Sequence, residues 1–191
     1  MKSEMDYDLL VIGSGPGGYV AAIRASQLKM KVAVVEKSEI GGICLNWGCI
    51  PTKALLKSAQ VFDYLNHAEE YGIKTGGEAK ADFGAIIARS RTVADGMSKG
   101  VQFLFRKNNI ELLKGFGVLA GGGIVEGTAD DGAKKSYSAR NIIVATGARS
   151  KELPGLKQDG KKIIGYREAM TLPVQPESMV VVGSGAIGSE F

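Results

Sequence analysis

Short apolar runs that stop at glycines alternate with stretches of helical spacing over much of the chain. Asp8 to Ile12 is a continuous apolar run ended by Gly13, the pattern of a strand buried on both faces of a parallel sheet. From Gly17 to Leu28 the spacing turns helical, with Val20, Ile23 and Leu28 on one side. Val32 to Val35 is a second buried strand, so strand, glycine turn, helix and strand form one βαβ unit. Gly41 to Gly48 is expected as a glycine-rich loop, and Lys53 to Leu65 as a helix carrying Leu55, Ala59 and Phe62. A polar stretch, Lys74 to Lys80, precedes a long helix over Phe83 to Lys107. Its apolar stripe is Ile86, Ile87, Val93, Met97, Val101, Leu104 and Phe105, taken as core packing. Strand-like pieces at Glu111–Leu119, Ile124–Glu126 and Tyr137–Arg140 are separated by Gly121-Gly122-Gly123 and Asp130-Asp131-Gly132, which predicts a small antiparallel meander. Asn141 to Gly147 returns to a buried strand. Residues 148–177 hold Pro154, Pro173 and Pro176 and are expected to connect two domains. Met179 to Val182 is a further buried strand, followed by a second glycine turn. The fold class is therefore α/β, with a central parallel sheet and a small antiparallel meander.

Composition narrows the function. The 24 Lys+Arg and 20 Asp+Glu leave a formal charge of only +4. The basic residues (Arg89, Arg91, Lys134, Lys135, Lys161, Lys162) are scattered, without interleaved aromatics, so no nucleic-acid partner is expected. No apolar run approaches the ~20 residues of a membrane span. The acidic start, Met1 to Asp8, lacks the basic and apolar regions of a secretory signal, so a cytoplasmic location is expected. Two Cys and one His cannot supply four ligands to a tetrahedral zinc site, and no metal site is expected. The 27 glycines are about twice ordinary usage and follow no fixed period. They fall between apolar runs, where a chain turns sharply or approaches a ligand closely.

The first candidate for chemistry is Gly13-Ser14-Gly15-Pro16-Gly17-Gly18, a G-x-G-x-x-G between a strand and a helix. Gly13 permits the tight turn, Gly15 lets the backbone approach a pyrophosphate, and Gly18 lets helix and strand pack closely. The helix start aims N–H groups and partial positive charge at the phosphates, and Pro16 suits its first turn. Glu36 ends the second strand, where a carboxylate can accept hydrogen bonds from a ribose. An adenine dinucleotide is expected here. The second candidate is Gly41 to Lys53, in which Cys44 and Cys49 lie five positions apart at the opening of a helix. A disulfide closing so short a loop would add little stability, and such bonds belong to the labile, catalytic class. A helix N-terminus followed by Lys53 one turn on favours the thiolate. The alternative is a pair of buried, inert thiols.

The segment Gly41 to Leu56, GGICLNWGCIPTKALL, resembles the active-site signature of the dihydrolipoyl dehydrogenases, which are flavoprotein disulfide reductases. The same family carries an N-terminal G-x-G-x-x-G for FAD, an Ala-Thr-Gly strand end, as at Ala145-Thr146-Gly147, and a second G-x-G-x-x-G for NAD, as at Gly183-Ser184-Gly185-Ala186-Ile187-Gly188. Glutathione and mercuric reductases share this architecture, but Ile50 to Leu56 favours the lipoamide enzyme. The resemblance implies that Cys49 lies nearer the flavin and that Cys44 is the interchange thiol. It implies that Lys53 stands near the flavin N5 with Glu190 as its acid partner, that Glu36 binds the adenosine ribose, and that Gly117 offers backbone groups to the adenine. Ser14, Pro16, Gly17, Lys37, Gly42, Thr146 and Gly147 complete the FAD contacts, and Gly183, Gly185 and Gly188 hold NAD.

The implied fold is an FAD-binding Rossmann-like domain of three layers (ββα) over residues 1–150, a connection over 151–177, and the start of a truncated NAD-binding domain over 178–191. The implied reaction is oxidation of protein-bound dihydrolipoamide to lipoamide through a Cys44–Cys49 disulfide and FAD, with electrons passed to NAD. The implied partner is the dihydrolipoyl domain of a 2-oxo acid dehydrogenase or glycine-cleavage complex, and the implied parent protein is a homodimer. The family's catalytic His–Glu pair has no match, because the single histidine, His67, lies in a polar stretch and is expected on the surface. The chain itself is therefore expected to be the N-terminal part of a longer protein and not competent for turnover. The alternative readings are a non-catalytic flavin-binding module and another disulfide reductase of the same family, of the glutathione or mercuric reductase type.

Overall fold

The structure is a computed structural model that describes residues 5–191; the first four residues of the acidic start lie outside the described residues. By packing, the described residues group into two units. One runs up to Asn46 and adds Gly96–Arg149; the other combines Trp47–Asp95 with Ser150–Phe191.

The first unit is built on a six-stranded sheet of order β3-β2-β1-β6-β5-β4. Its strands are β1 (Tyr7–Ile12), β2 (Val32–Glu36), β3 (Glu111–Lys114), β4 (Phe116–Gly121), β5 (Ile124–Thr128) and β6 (Lys134–Val144). β3, β2, β1 and β6 run parallel, whereas β4, β5 and β6 form an antiparallel meander. β6 serves both: Lys134 to Ser138 pair with β5, and Ala139 to Val144 pair with β1. Leu10, Ile12, Ala33, Val35, Leu113 and Val125 bury themselves in one cluster with Tyr7 and Ala139. Each fully buried aliphatic side chain of this kind contributes about 1.5–3 kcal/mol relative to exposure. Tyr7 closes the cluster's edge and donates its hydroxyl to Glu111 at 2.7 Å. Burial, with the Glu111 carboxylate beside it, pushes the Tyr7 phenol well above its ordinary range.

Helix α1 (Pro16–Gln27) crosses from β1 to β2, with Pro16 in its first turn and Ala22 and Ala25 buried. The long helix α4 (Phe83–Lys107) has the expected bounds and buries part of the expected stripe. Val101 and Phe105 of that stripe are buried, together with Ser90, Ala94 and Ser98, while Met97 and Leu104 of the stripe are 46% and 36% exposed. Ser98 donates its hydroxyl to the Ile40 carbonyl at 2.7 Å.

Four further sequence expectations are corrected. The Gly41–Gly48 segment is not a loop but carries a short helix, α2 (Gly42–Trp47). Its neighbour α3 runs over Cys49–Asn66, four residues earlier than the helical spacing suggested. Glu111–Leu119 is not one strand. Gly115, with φ of 139°, breaks it into β3 and β4, which join opposite edges of the sheet. Ile143 and Val144, expected in a buried strand, are 36% and 57% exposed.

In the second unit, residues 179–182 form no strand, and Val180 is 89% exposed. A strand is a ladder of inter-chain hydrogen bonds, and among the described residues this run pairs with none. The stretch expected as a connection holds one short helix, α5 (Tyr166–Ala169), and the chain ends in α6 (Ala186–Glu190).

Candidate functional site

The glycine turn after β1 is the most constrained backbone of the first unit. Gly13 adopts φ of 102°, and any Cβ there would overlap the Ala145 carbonyl oxygen. Ala145 also donates its N–H to the Ile12 carbonyl at 2.8 Å, so the end of β6 is fastened to the turn. A Cβ at Gly18 would overlap the Gly13 carbonyl oxygen and come within 3.4 Å of Val11. Gly15, by contrast, caps α1 with φ of −66° and has nothing within 4 Å of its Cβ position. One glycine is thus required by packing, while another leaves open space at a helix start whose first N–H groups have no intrahelical acceptors. Such a cradle fits a pyrophosphate.

Glu36 stands beside it. One carboxylate oxygen accepts both the Ser14 N–H at 2.8 Å and the Ser14 hydroxyl at 2.6 Å; the other accepts the Ser38 N–H at 2.9 Å. Ser14 is fully buried, and its carbonyl accepts the Gly41 N–H at 3.1 Å. The expected ribose carboxylate is therefore held in place by the turn itself, a linkage that the spacing of Glu36 gave no hint of. Lys37 places its ammonium 5.5 Å from the Phe116 ring centroid. The Cβ position of Gly117 meets Val35 at 3.1 Å and Ile12 at 3.3 Å, so a glycine lets β4 lie close over the parallel sheet. Thr146 follows β6, and Gly147 has φ of 74° with open space around its Cβ position.

The segment with the first cysteine starts against this turn. A Cβ on Gly42 would lie 2.8 Å from the Gly15 Cα, and Gly42 itself has φ of 61°. Asn46 ties the helix down, its amide donating to the Ile40 and Gly42 carbonyls at 2.9 Å each. Cys44 is a half-buried thiol within α2.

In the second unit, Cys49 is an exposed thiol at the first residue of α3, after Gly48. Lys53, one turn further on, forms an ion pair with Glu190. Their side chains are 59% and 33% exposed, so the pair is worth at most about 1 kcal/mol of stability. Lys53→Ala is accordingly expected to leave the urea midpoint nearly unmoved; a loss of several kcal/mol would assign Lys53 to the fold instead. The second glycine turn repeats the first: Gly183 has φ of 120°, Gly185 caps α6, and a Cβ on Gly188 would overlap the Gly183 carbonyl oxygen. His67 is exposed beyond the end of α3, with its Nδ1 at 2.9 Å from the Asp63 carbonyl. That carbonyl, and then the Asp63 charge, raise its pKa above the ordinary histidine value. A raised pKa stabilises the folded state below the unfolded histidine value, and this contribution is lost as pH rises through the folded value. An NMR titration is expected to place the His67 midpoint lower in Asp63→Asn than in the parent chain; equal midpoints would remove the Asp63 charge as a cause.

Among the described residues, no group of three or more His, Cys, Asp and Glu is arranged to hold a metal ion. Nor is any helix among them long and apolar enough to cross a membrane.

The chain as a whole is similar to known proteins. The chain is 52% identical over 190 residues to a dihydrolipoyl dehydrogenase of Chlorobaculum parvum, covering all of this chain and 40% of that protein. It is 51% identical over 185 residues to the dihydrolipoyl dehydrogenase of Zymomonas mobilis, again spanning 40% of its length. The crystal structure of LpdA from Mycobacterium tuberculosis superposes with a TM-score of 0.76 at 27% identity, over 87% of this chain and 37% of that one. The chain thus spans about 40% of the length of the curated relatives it matches. Residues 7–191 match the family model described as pyridine nucleotide-disulphide oxidoreductase, and the chain belongs to that family.

Proposed function

We propose that this chain is the flavin-binding and redox-cysteine portion of a dihydrolipoyl dehydrogenase. The observation that carries this reading is the abutment of Gly42, at the start of the helix bearing Cys44, on Gly15 of a glycine turn built for a pyrophosphate. FAD, when bound, supplies a two-electron relay between the cysteine pair and NAD. Gly13, Ser14, Gly15, Pro16, Gly17 and Gly18 would receive its phosphates at the start of α1, and Glu36 its ribose. Lys37, Gly42, Gly117, Thr146 and Gly147 would line the same molecule.

The cysteines do the exchange. A thiolate of a protein-bound dihydrolipoyl group attacks the Cys44 sulfur of a Cys44–Cys49 disulfide and displaces the Cys49 thiolate. The second substrate thiol then attacks the mixed disulfide and releases Cys44, so two electrons enter the cysteine pair and lipoamide leaves. The Lys53 ammonium, held by Glu190, would sit where negative charge develops. Gly183, Gly185 and Gly188 would receive NAD. The substrate-bearing partner would be the lipoyl domain of a 2-oxo acid dehydrogenase or glycine-cleavage complex, and the whole protein a cytoplasmic homodimer. His67 is exposed and bonded to Asp63, so this histidine would not serve as the general base of turnover.

The test is an absorption spectrum of the purified chain with added FAD, before and after a dithiol reductant. A bound flavin band that gains long-wavelength absorbance on reduction supports both the flavin site and the thiolate beside it. A chain that ignores FAD overturns the reading of this chain as a flavin carrier.

A further inference from the structure

Trp47 is the one tryptophan in the chain, and it stands in the sequence between Cys44 and Cys49. It is the last residue of α2 and is separated from α3 only by Gly48, whose φ of −145° and ψ of −120° break the helical path. Two guanidinium groups lie over its ring. The central carbon of Arg91, from α4, is 4.7 Å from the ring centroid, and that of Arg167, from α5, is 5.1 Å away. Two cations gathered on one indole repel each other, so the arrangement persists only where the ring's electron-rich faces outweigh that repulsion. Arg91 also points an Nη2 donor at the Met170 sulfur, 4.0 Å away, and Met170 is 1% exposed. The short helix α5 is therefore tied to Trp47 and Arg91 through Arg167 and the buried Met170 that follows it. Neither glycine turn uses this cluster, and neither does the Lys53–Glu190 pair.

We propose that Arg91 and Arg167 are positioning residues that hold Trp47 and so preorganise the Cys44–Cys49 segment for closure of its disulfide. This rests on the reading of the two cysteines as a redox pair. The physical reason is entropic. The disulfide form has already lost the freedom of the intervening residues, whereas the dithiol form keeps it unless something else removes it. A ring held by two guanidinium groups removes that freedom beforehand and raises the effective concentration of one thiol at the other. With glutathione disulfide as oxidant, one cysteine thiolate attacks it and releases one glutathione. The second cysteine thiolate then attacks the mixed disulfide and releases another. Two electrons leave the protein pair, and its two protons end on the two glutathiones.

The test equilibrates the 191-residue chain in glutathione redox buffers, traps free thiols by alkylation and counts them by mass. Arg167 is exposed, so its substitution leaves the fold intact, which a urea midpoint checks. Arg167→Gln is expected to lower the effective concentration about three- to fivefold, with Arg167→Lys between it and the parent. Selective excitation of Trp47 adds an independent signature. Its emission is expected to change when the pair oxidises, and the change is expected to vanish in Cys44→Ser. An effective concentration equal to or above the parent's in Arg167→Gln, with the disulfide still forming, overturns the positioning role alone. A parent chain that forms no intramolecular disulfide overturns the redox-pair reading and this inference with it.

Discussion

Gly18→Ala is expected to unfold the chain or cripple it, whereas Gly15→Ala is expected to leave the fold intact and remove the cofactor. The added methyl at Gly18 would overlap the Gly13 carbonyl oxygen, with the carbonyl carbon 2.9 Å away. Both are backbone atoms of a turn already fastened to Ala145, so neither can step aside. Overpacking against immovable atoms costs about 3 kcal/mol, a large share of the stability of a small domain. At Gly15, φ is −66° and the Cβ position is open, so alanine fits the bare protein with a change of about 0.5 kcal/mol or less. That open space is where a pyrophosphate would lie, and a methyl there is expected to weaken FAD binding more than tenfold. Urea unfolding and flavin titration of the two variants separate packing from binding. An intact, flavin-binding Gly18→Ala chain would show that the turn relaxes far more than its contacts imply.

Glu36→Ala is expected to have the second largest effect, and for two reasons at once. The carboxylate accepts three hydrogen bonds, and two of the donors belong to the fully buried Ser14. Removing it strands an N–H and a hydroxyl away from water, a loss of roughly 2–4 kcal/mol. The same change removes the proposed acceptor for the ribose, so flavin binding falls with stability. Glu36→Gln keeps a neutral acceptor oxygen for Ser14 and is expected to recover most of the stability but little of the flavin affinity. If Glu36→Gln bound FAD as tightly as the parent chain, the carboxylate would have no part in holding the ribose.

The elements nearest the first glycine turn were legible because their signals are local. A buried apolar run ended by Gly13, a proline at the first helical position and a second run of valines specify β1, α1 and β2 with little help from the rest of the chain. What escaped the sequence depends on long-range packing. Nothing in Gly41-Gly42-Ile43 announces a helix, because α2 is anchored by the Asn46 side chain and by its abutment on the Gly15 backbone. The buried face of α4 combines Val101 and Phe105 with Ser90, Ala94 and Ser98, and the burial of the two serines is not marked in the apolar spacing. Residues 179–182 have the composition of a strand, yet a strand exists only when a neighbour pairs with it. Of the candidate site residues, the glycines and Glu36 stand out by their spacing. The hold of Ser14 on Glu36, and the two arginines over Trp47, join positions far apart in the sequence and leave no trace in a one-dimensional pattern.

The double service of β6 sets where the chain tolerates changes in length. Its first half is paired with β5 alone in the sheet, with Ser138 also bonded to Asp6, and the connection to β5 at residues 129–133 is exposed or half-buried. Residues added there lengthen the hairpin and leave every strand in step. One residue added between Ala139 and Val144 would slide Ala145 along β1 by one position, turn alternate side chains to the opposite face and carry its carbonyl away from Gly13. Relatives of this chain are therefore expected to vary in length at the hairpin and to keep a fixed count of residues from Ala139 to Gly147.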